Sequence, residues 1–174
     1  MDSISDKHSR ILSHHKATLR QVVSALDSLS LKLEVAELPE QLYLLAIGKG
    51  SQKLLESFTS AYKGEILDGM VLSPEPISLE NKDQRLKNLT FFTGSHPLPS
   101  LENEASTLEI LRFIADLPAG VSLVCLISGG TSSLLCLPPE PITIEELHQT
   151  YQTLFQSGAS IHQMNTVRKH LSLV

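Results

Sequence analysis

A short loop of glycines and hydroxyl residues interrupts one of the most apolar stretches of the chain. Residues 126–135 read LISGGTSSLL, so a run typical of a core strand stops abruptly and then resumes. Successive backbone N–H groups and hydroxyls in such a loop can bind an anion, but an ordinary tight turn has the same composition. The candidate anion-binding residues are Ser128, Gly129, Gly130, Thr131 and Ser132.

Two further polar segments carry a residue that could take part in chemistry. Lys49 lies between two glycines directly after the apolar run LYLLAI, where a lysine can contact a phosphate or carboxylate or can simply be solvated. His96 lies in Gly-Ser-His-Pro and is a candidate base or ligand contact. The alternative for His96 is an ordinary hydrogen-bonded loop histidine.

The only concentrated basic patch of the chain lies near residue 170. On a helix, Asn165, Arg168 and Lys169 share one face through their i, i+3 and i+4 spacing, and His170 follows them. The forked donors of an arginine suit phosphate oxygens. The alternative is a set of cations that stabilises the last turn of a helix through the helix dipole.

Neither standard nucleotide-binding motif is present. The chain has no G-x-x-x-x-G-K-[ST] sequence, and the G-x-G that begins at Gly48 has Lys53 at the third glycine position. Cys125 and Cys136 have no metal-ligand spacing, and two cysteines form no disulfide framework. The metal ligands, if the protein has any, are therefore unknown from the sequence.

Strands that alternate with helices must position these residues. Apolar runs predict strands at 42–47, 70–72, 89–93 and 121–127, and helical spacing predicts helices at 4–29, at 51–62 and after Ser100. Capping boxes predict two more helices, one from Thr143 to near Gly158 and one from Ser160 toward the C-terminus. This order indicates βαβ units and an α/β fold with a mostly parallel sheet in a single domain over 1–174.

The three glycine-containing segments each follow a predicted strand. They are residues 48–50, 94–97 and 128–132. Because ligands of open parallel sheets bind beyond the carboxyl ends of the strands, we expect all three segments at one edge of the sheet.

Composition excludes some classes of function. The chain has 174 residues, 41% of them hydrophobic and 19% charged, which is typical of a globular protein. A net charge of −5 without a basic stripe argues against nucleic-acid binding. No apolar segment approaches the roughly 18 residues that span a membrane, so we expect no membrane partner. The polar N-terminus and the unpaired cysteines favour a cytoplasmic protein.

The motifs LLAIGKG, GSHPLPS, CLISGGTSSLL, LFQSGASIHQMN and VRKHLS, in this order, resemble the N-terminal domain of glycerate 2-kinases. In these enzymes the C-terminal half carries the MOFRL domain. The resemblance implies a Rossmann-like three-layer sandwich and ATP-dependent phosphorylation of D-glycerate to 2-phosphoglycerate with magnesium. It also implies that Lys49 and Arg168 are catalytic, and that the Ser128–Ser132 loop, His96, Asn165, Lys169 and His170 bind substrate or phosphate.

The sequence departs from the family pattern at several positions. Thr131 replaces a glycine, Ser133 an alanine and Ser100 an aspartate, and the chain stops at Val174 where family members continue. If the glycine at position 131 needs a positive φ, threonine would cost about 1–3 kcal/mol. We therefore expect a domain that lacks its C-terminal partner and is inactive alone. A partly apolar surface facing that partner predicts weak self-association, for example as a homodimer.

Two other functions are compatible with the sequence. One is a non-catalytic domain that binds a ligand or packs against a protein partner. The other is an oxidoreductase acting on hydroxypyruvate, a label that sometimes accompanies this family, although a conventional nicotinamide site would need a third glycine and an acidic ribose contact.

Overall fold

The computed structural model describes residues 38–77 and 83–174, in which four parallel strands form one sheet. The strands are β1 (Gln41–Ile47), β2 (Glu65–Ser73), β3 (Leu89–Thr93) and β4 (Leu123–Ile127). They are ordered β3-β2-β1-β4, and every neighbouring pair is parallel. Together with the flanking helices, this sheet confirms the predicted α/β fold.

The apolar run of β1 is continuous because both faces of this central strand are covered. Leu42, Leu44 and Ala46 alternate with Leu45 and Ile47, and none of the five is more than 4% exposed. A strand that is buried on both faces has no solvent-facing positions for polar residues.

Five α-helices and one short 3-10 helix (Gln84–Leu86) accompany the sheet among the described residues. The α-helices are α1 (Ser51–Ala61), α2 (Leu101–Ala115), α3 (Thr131–Leu134), α4 (Ile144–Gln156) and α5 (Ile161–His170). Both predicted capping boxes are present, with Thr143 and Glu146 at the start of α4 and Ser160 and Gln163 at the start of α5. The sequence pattern did not predict α3, which has only four residues. The predicted helix at 4–29 lies outside the described residues.

Strand β2 is much longer than predicted, because it begins at Glu65 rather than near Met70. Asp68 and Gly69 interrupt its apolar pattern and are more typical of a turn. A Cβ at Gly69 would lie 2.3 Å from the Leu44 carbonyl oxygen and 2.7 Å from Leu89 Cδ2. This glycine therefore allows the neighbouring strands to approach closely.

Helix α2 turns a partly polar face toward the protein interior. Its buried residues are Asn103, Ser106, Thr107 and Ile110. By contrast, Leu108 and Ile114, two of the apolar residues that favoured a helix here, are 37% and 40% exposed. The apolar spacing thus predicted the helix but not its buried face.

The described part of the chain also bears on the expected absence of a membrane-spanning segment and of a disulfide. No helix in residues 38–77 or 83–174 is long and apolar enough to cross a membrane. Cys125 is exposed and Cys136 is buried, and both are free thiols.

Candidate functional site

The loops that follow β1 and β4 are hydrogen-bonded to each other at the carboxyl edge of the sheet. Lys49 N–H donates to the Gly129 carbonyl at 2.9 Å, and Ser128 N–H donates to the Ile47 carbonyl at 3.0 Å. β1 and β4 are neighbours in the sheet although β2 and β3 lie between them in the sequence. This reversal of strand order is where open α/β sheets form a ligand-binding crevice.

The Ser128 hydroxyl fills the space beside the first glycine turn. Gly50 N–H donates to Ser128 Oγ at 2.9 Å. Gly48 has a φ of 121°, and a Cβ at this position would lie 2.2 Å from Ser128 Oγ. Glycine is required at position 48 both by the backbone conformation and by this close approach.

The second glycine turn leads directly into α3. Gly130 is the N-cap of this helix and has a φ of 93°, so the left-handed residue is Gly130 and the helix begins at Thr131. The Thr131 hydroxyl lies 2.8 Å from the Ser128 carbonyl oxygen and 3.2 Å from that of Ile47. The strain that a threonine would suffer at a positive φ therefore does not arise, and Thr131 instead helps to hold the loop against β1.

Lys49 and His96 both lie beside Gly130. A Cβ at Gly130 would be 3.0 Å from His96 Cδ2, 3.1 Å from His96 Nε2 and 3.2 Å from Lys49 Cγ. The loops after β1, β3 and β4 therefore meet at one point, as the sequence predicted. Lys49 is exposed and His96 is partly buried, so the cluster faces solvent on one side.

The electrostatic environment of His96 is positive. Burial lowers the pKa of the His96 imidazole below its ordinary value of 6.5, and the nearby charges of Lys49 and Arg168 lower it further. Both effects disfavour the imidazolium form. Arg168, which is distant in sequence, thus belongs to the same electrostatic environment as the glycine loop.

The Arg168 side chain is held in place by two contacts. Its Nη2 donates to Ser133 Oγ at 2.6 Å, and its guanidinium lies 4.5 Å from the centre of the Tyr151 ring. Its Nε is buried and has no hydrogen-bond partner among residues 38–77 and 83–174. An unpaired buried N–H of a cation is a donor that an anionic ligand could satisfy.

The remaining predicted residues of the basic patch fall into two groups. Asn165 and Lys169 line a cleft of about 170 Å³ together with Arg168 and Ser132. His170 Nδ1, by contrast, lies 2.7 Å from the Thr166 carbonyl oxygen on its own helix. This contact lies within α5, and His170 is not among the residues that line the cleft with Arg168 and Ser132.

Two residues near the site were not identified from the sequence. The Tyr151 ring contacts the Arg168 guanidinium, and the buried Asn103 is hydrogen-bonded to Ser95, in the loop that carries His96, and to Ser133 in helix α3. Asparagine is rarely buried without several hydrogen bonds, but its burial here cannot be read from helical spacing alone. The sequence feature that could have indicated this role is the row of polar residues Asn103, Ser106 and Thr107 on one face of the helix, since that face is the buried one.

The donor set of the cluster fits an anion better than a metal ion. Its side chains are a lysine, a histidine and an arginine beside exposed backbone of a glycine loop. Within the described residues, no three His, Cys, Asp or Glu side chains lie close enough to hold a metal ion together. Magnesium prefers carboxylate and water oxygens, which the cluster does not supply in sufficient number.

Comparison with known proteins identifies the family. Residues 8–174 match the model of a family described as a domain of unknown function, DUF4147. The chain belongs to this family. Several relatives of this DUF4147 chain, from different organisms, are named glycerate kinases, so the predicted resemblance to the N-terminal domain of glycerate 2-kinases is confirmed.

Three relatives show how much of the known proteins the DUF4147 chain spans. A glycerate 2-kinase of Pyrococcus horikoshii is 29% identical over 92% of this chain and 35% of its own length. The crystal structure of a glycerate kinase from Thermotoga maritima aligns with a TM-score of 0.66 and 31% identity, over 79% of this chain and 32% of that one. An Agrobacterium vitis protein provisionally named a hydroxypyruvate reductase is 30% identical over 75% of this chain and 29% of its own length. The chain thus spans about a third of the length of these relatives.

Proposed function

We propose that this chain forms the anion-binding part of a glycerate 2-kinase, which phosphorylates D-glycerate to 2-phosphoglycerate with ATP. The observation that carries the proposal is the meeting of Lys49, His96 and the Gly130 turn, with Arg168 adding positive charge to the same place. Names of the relatives support glycerate as the substrate class. ATP and D-glycerate both carry anionic groups that this cluster could bind.

Each residue has a defined part in this proposal. Lys49 and Arg168 neutralise charge on a phosphate or on the substrate carboxylate, as phosphoryl transfer requires. The backbone N–H groups of the Gly129–Ser132 segment approach the anion, because glycines leave the loop surface open. The hydroxyls of Ser128 and Thr131 hold the loop in shape, since both are engaged with backbone groups. His96 is neutral near pH 7 and donates or accepts a hydrogen bond.

The site residues support the binding of ATP phosphate more directly than the binding of magnesium. A nucleotide phosphate fits the loop backbone and the two cations, which would hold it by hydrogen bonds and charge. Magnesium would neutralise phosphate charge in such a reaction. Residues 38–77 and 83–174 contain no cluster of three His, Cys, Asp or Glu side chains that could hold a metal ion, and no residue is assigned to magnesium.

The chain on its own is proposed to be inactive, because phosphoryl transfer needs a closed cleft that aligns donor and acceptor. A coupled assay for ADP formation from ATP and D-glycerate tests this on the purified 174-residue chain. We expect no turnover, and we expect turnover to appear when the remaining part of a full-length relative is added. Glycerate-dependent turnover by the chain alone, absent in Lys49→Ala, would contradict the inactive state.

The same protein can be used to test the competing activity. Hydroxypyruvate and a reduced nicotinamide are mixed with the chain, and absorbance of the nicotinamide is followed. We expect no change. Oxidation of the nicotinamide that depends on hydroxypyruvate would favour the reductase instead.

A further inference from the structure

Asn103 is a fully buried polar residue in the first turn of α2. Its side chain is 0% exposed. Its Oδ1 accepts the Ser95 N–H at 2.7 Å and the Ser100 hydroxyl at 2.8 Å. Its Nδ2 donates to the Ser95 carbonyl at 2.9 Å and to the Ser133 carbonyl at 2.8 Å. Both ends of the carboxamide are therefore paired, which also defines its orientation.

These bonds join two segments that are remote in sequence. Ser95 directly precedes His96, and Ser133 lies in α3, the helix that Gly130 caps. The two partner segments are thus held by one rigid planar group. Gly94 allows this close packing, since a Cβ there would lie 3.1 Å from Asn103 Nδ2.

We infer that Asn103 is a positioning residue of the site, whose carboxamide sets the separation between His96 and Gly130 by binding the segments on both sides. It acts through His96 and the glycine loop and is assigned no contact with ligand. The inference rests on the proposed function, because the alignment matters only if the cluster binds an anion. A bonding pattern of this kind is specific to asparagine, since it needs an acceptor and two donors on one short side chain.

Thr107 offers a matched control one turn further along α2. It is also 0% exposed. Its hydroxyl donates to the Asn103 carbonyl at 2.7 Å and accepts the Cys136 N–H at 3.0 Å. Thr107→Val therefore removes buried hydrogen bonds from the same helix without touching the bonds that Ser95 makes. Asn103→Ala instead removes the bonds to Ser95 and keeps the backbone carbonyl that Thr107 contacts.

The direct readout is the distance between His96 and Gly130 in the free protein. We expect a strong nuclear Overhauser effect between the His96 Hδ2 proton and the Gly130 Hα protons in the wild type. It should be lost in Asn103→Ala and kept in Thr107→Val. Retention of this effect in a folded Asn103→Ala protein would overturn the inference.

Binding of inorganic phosphate supplies a second readout. We expect Asn103→Ala to weaken phosphate binding about tenfold relative to Thr107→Val, because small misplacements of binding groups are costly. Equal affinities in the two variants would overturn the inference. If the wild type binds no phosphate at this cluster, the proposed function fails, whereas the proton–proton contact still decides the role of Asn103.

A measurement on the wild type keeps the inference testable even if Asn103→Ala does not fold. The Ser95 amide, bonded to Asn103 Oδ1, should be strongly protected from hydrogen exchange although Ser95 itself is exposed. Exchange at the rate of an unstructured loop amide would show that Asn103 does not hold this segment, and would overturn the inference.

Discussion

His96 lies so close to Gly130 that a Cβ on the glycine would be 3.0 Å from the imidazole Cδ2. The ring comes from the loop after β3 and the glycine from the loop after β4, and these strands lie at opposite ends of the four-stranded sheet. The contact therefore closes the candidate site across the ends of β1 and β2. Because the two residues are in such close contact, a shift of the loop that carries His96 would also displace the backbone at Gly130.

Replacing Gly130 with alanine should disturb both the loop and the site. The φ of 93° strains any residue with a Cβ, and the methyl group would meet His96 and Lys49. We expect a loss of about 1–3 kcal/mol in the free energy of unfolding and weaker phosphate binding. Urea denaturation and calorimetric titration measure the two effects.

Gly129 provides the control for that substitution. A Cβ at Gly129 would have no neighbour within 4 Å, and its φ is not in the left-handed range. Gly129→Ala should therefore leave stability within about 0.5 kcal/mol of the wild type. Gly129→Val should weaken phosphate binding through steric obstruction alone. Unchanged binding in Gly129→Val would show that the ligand does not approach this part of the loop.

Lys49→Ala should reduce phosphate affinity without reducing the stability of the fold. The side chain is exposed, and the hydrogen bond that Lys49 donates to Gly129 uses the backbone. We expect stability to change by less than about 0.5 kcal/mol. Phosphate affinity should fall about tenfold or more, since hydrogen bonds to charged groups contribute about 1.5–3 kcal/mol. Lys87→Ala, at another exposed lysine, is the control, and an equal effect of both variants on affinity would contradict a specific role.

Stability should depend on pH through His96. Its folded-state pKa is lowered by burial and by Lys49 and Arg168, so the unfolded chain binds the proton more readily. The folded state therefore loses stability as pH falls through the ordinary value of 6.5 toward the lower folded value. His96→Gln should lose less stability over this range. Denaturation at about pH 7.5 and about pH 5.5 measures the difference, and identical losses in both proteins would contradict the prediction.

Arg168→Lys should not be a conservative change. Lysine lacks the planar guanidinium that stacks on Tyr151 and simultaneously donates to Ser133. We expect a loss of about 1–2 kcal/mol in unfolding free energy and weaker phosphate binding. Ser133→Ala, which removes one hydrogen bond but keeps the stacking, should cost less. A larger loss for Ser133→Ala would show that the stacking contributes little.

The sequence predicted the helix starts that are determined by hydrogen bonds between residues close together in the chain. The capping boxes at Thr143 and Ser160 predicted the starts of α4 and α5, because each joins residues three positions apart. The length of β2 was underestimated, because Gly69 is a strand residue only through its contact with Leu44 of the neighbouring strand. A pattern within one segment contains no information about such a neighbour.

The same distinction applies to the site. The meeting of Lys49, His96 and Gly130 could be predicted because the ends of parallel strands share one edge of a sheet. The role of Asn103 could not, since its partner Ser133 is 30 positions away in the sequence. The contact of Arg168 with Tyr151 is likewise formed only in the folded chain.

The most direct test of the anion site is a titration of the isotopically labelled chain with inorganic phosphate, in which the chemical shifts of the backbone amides are monitored. We predict saturable shifts at Lys49, Gly129, Gly130 and Thr131, together with a change at the His96 ring. Lys49→Ala should weaken these shifts. Absence of shifts at the loop, or shifts that lie elsewhere and are insensitive to Lys49→Ala, would contradict the account.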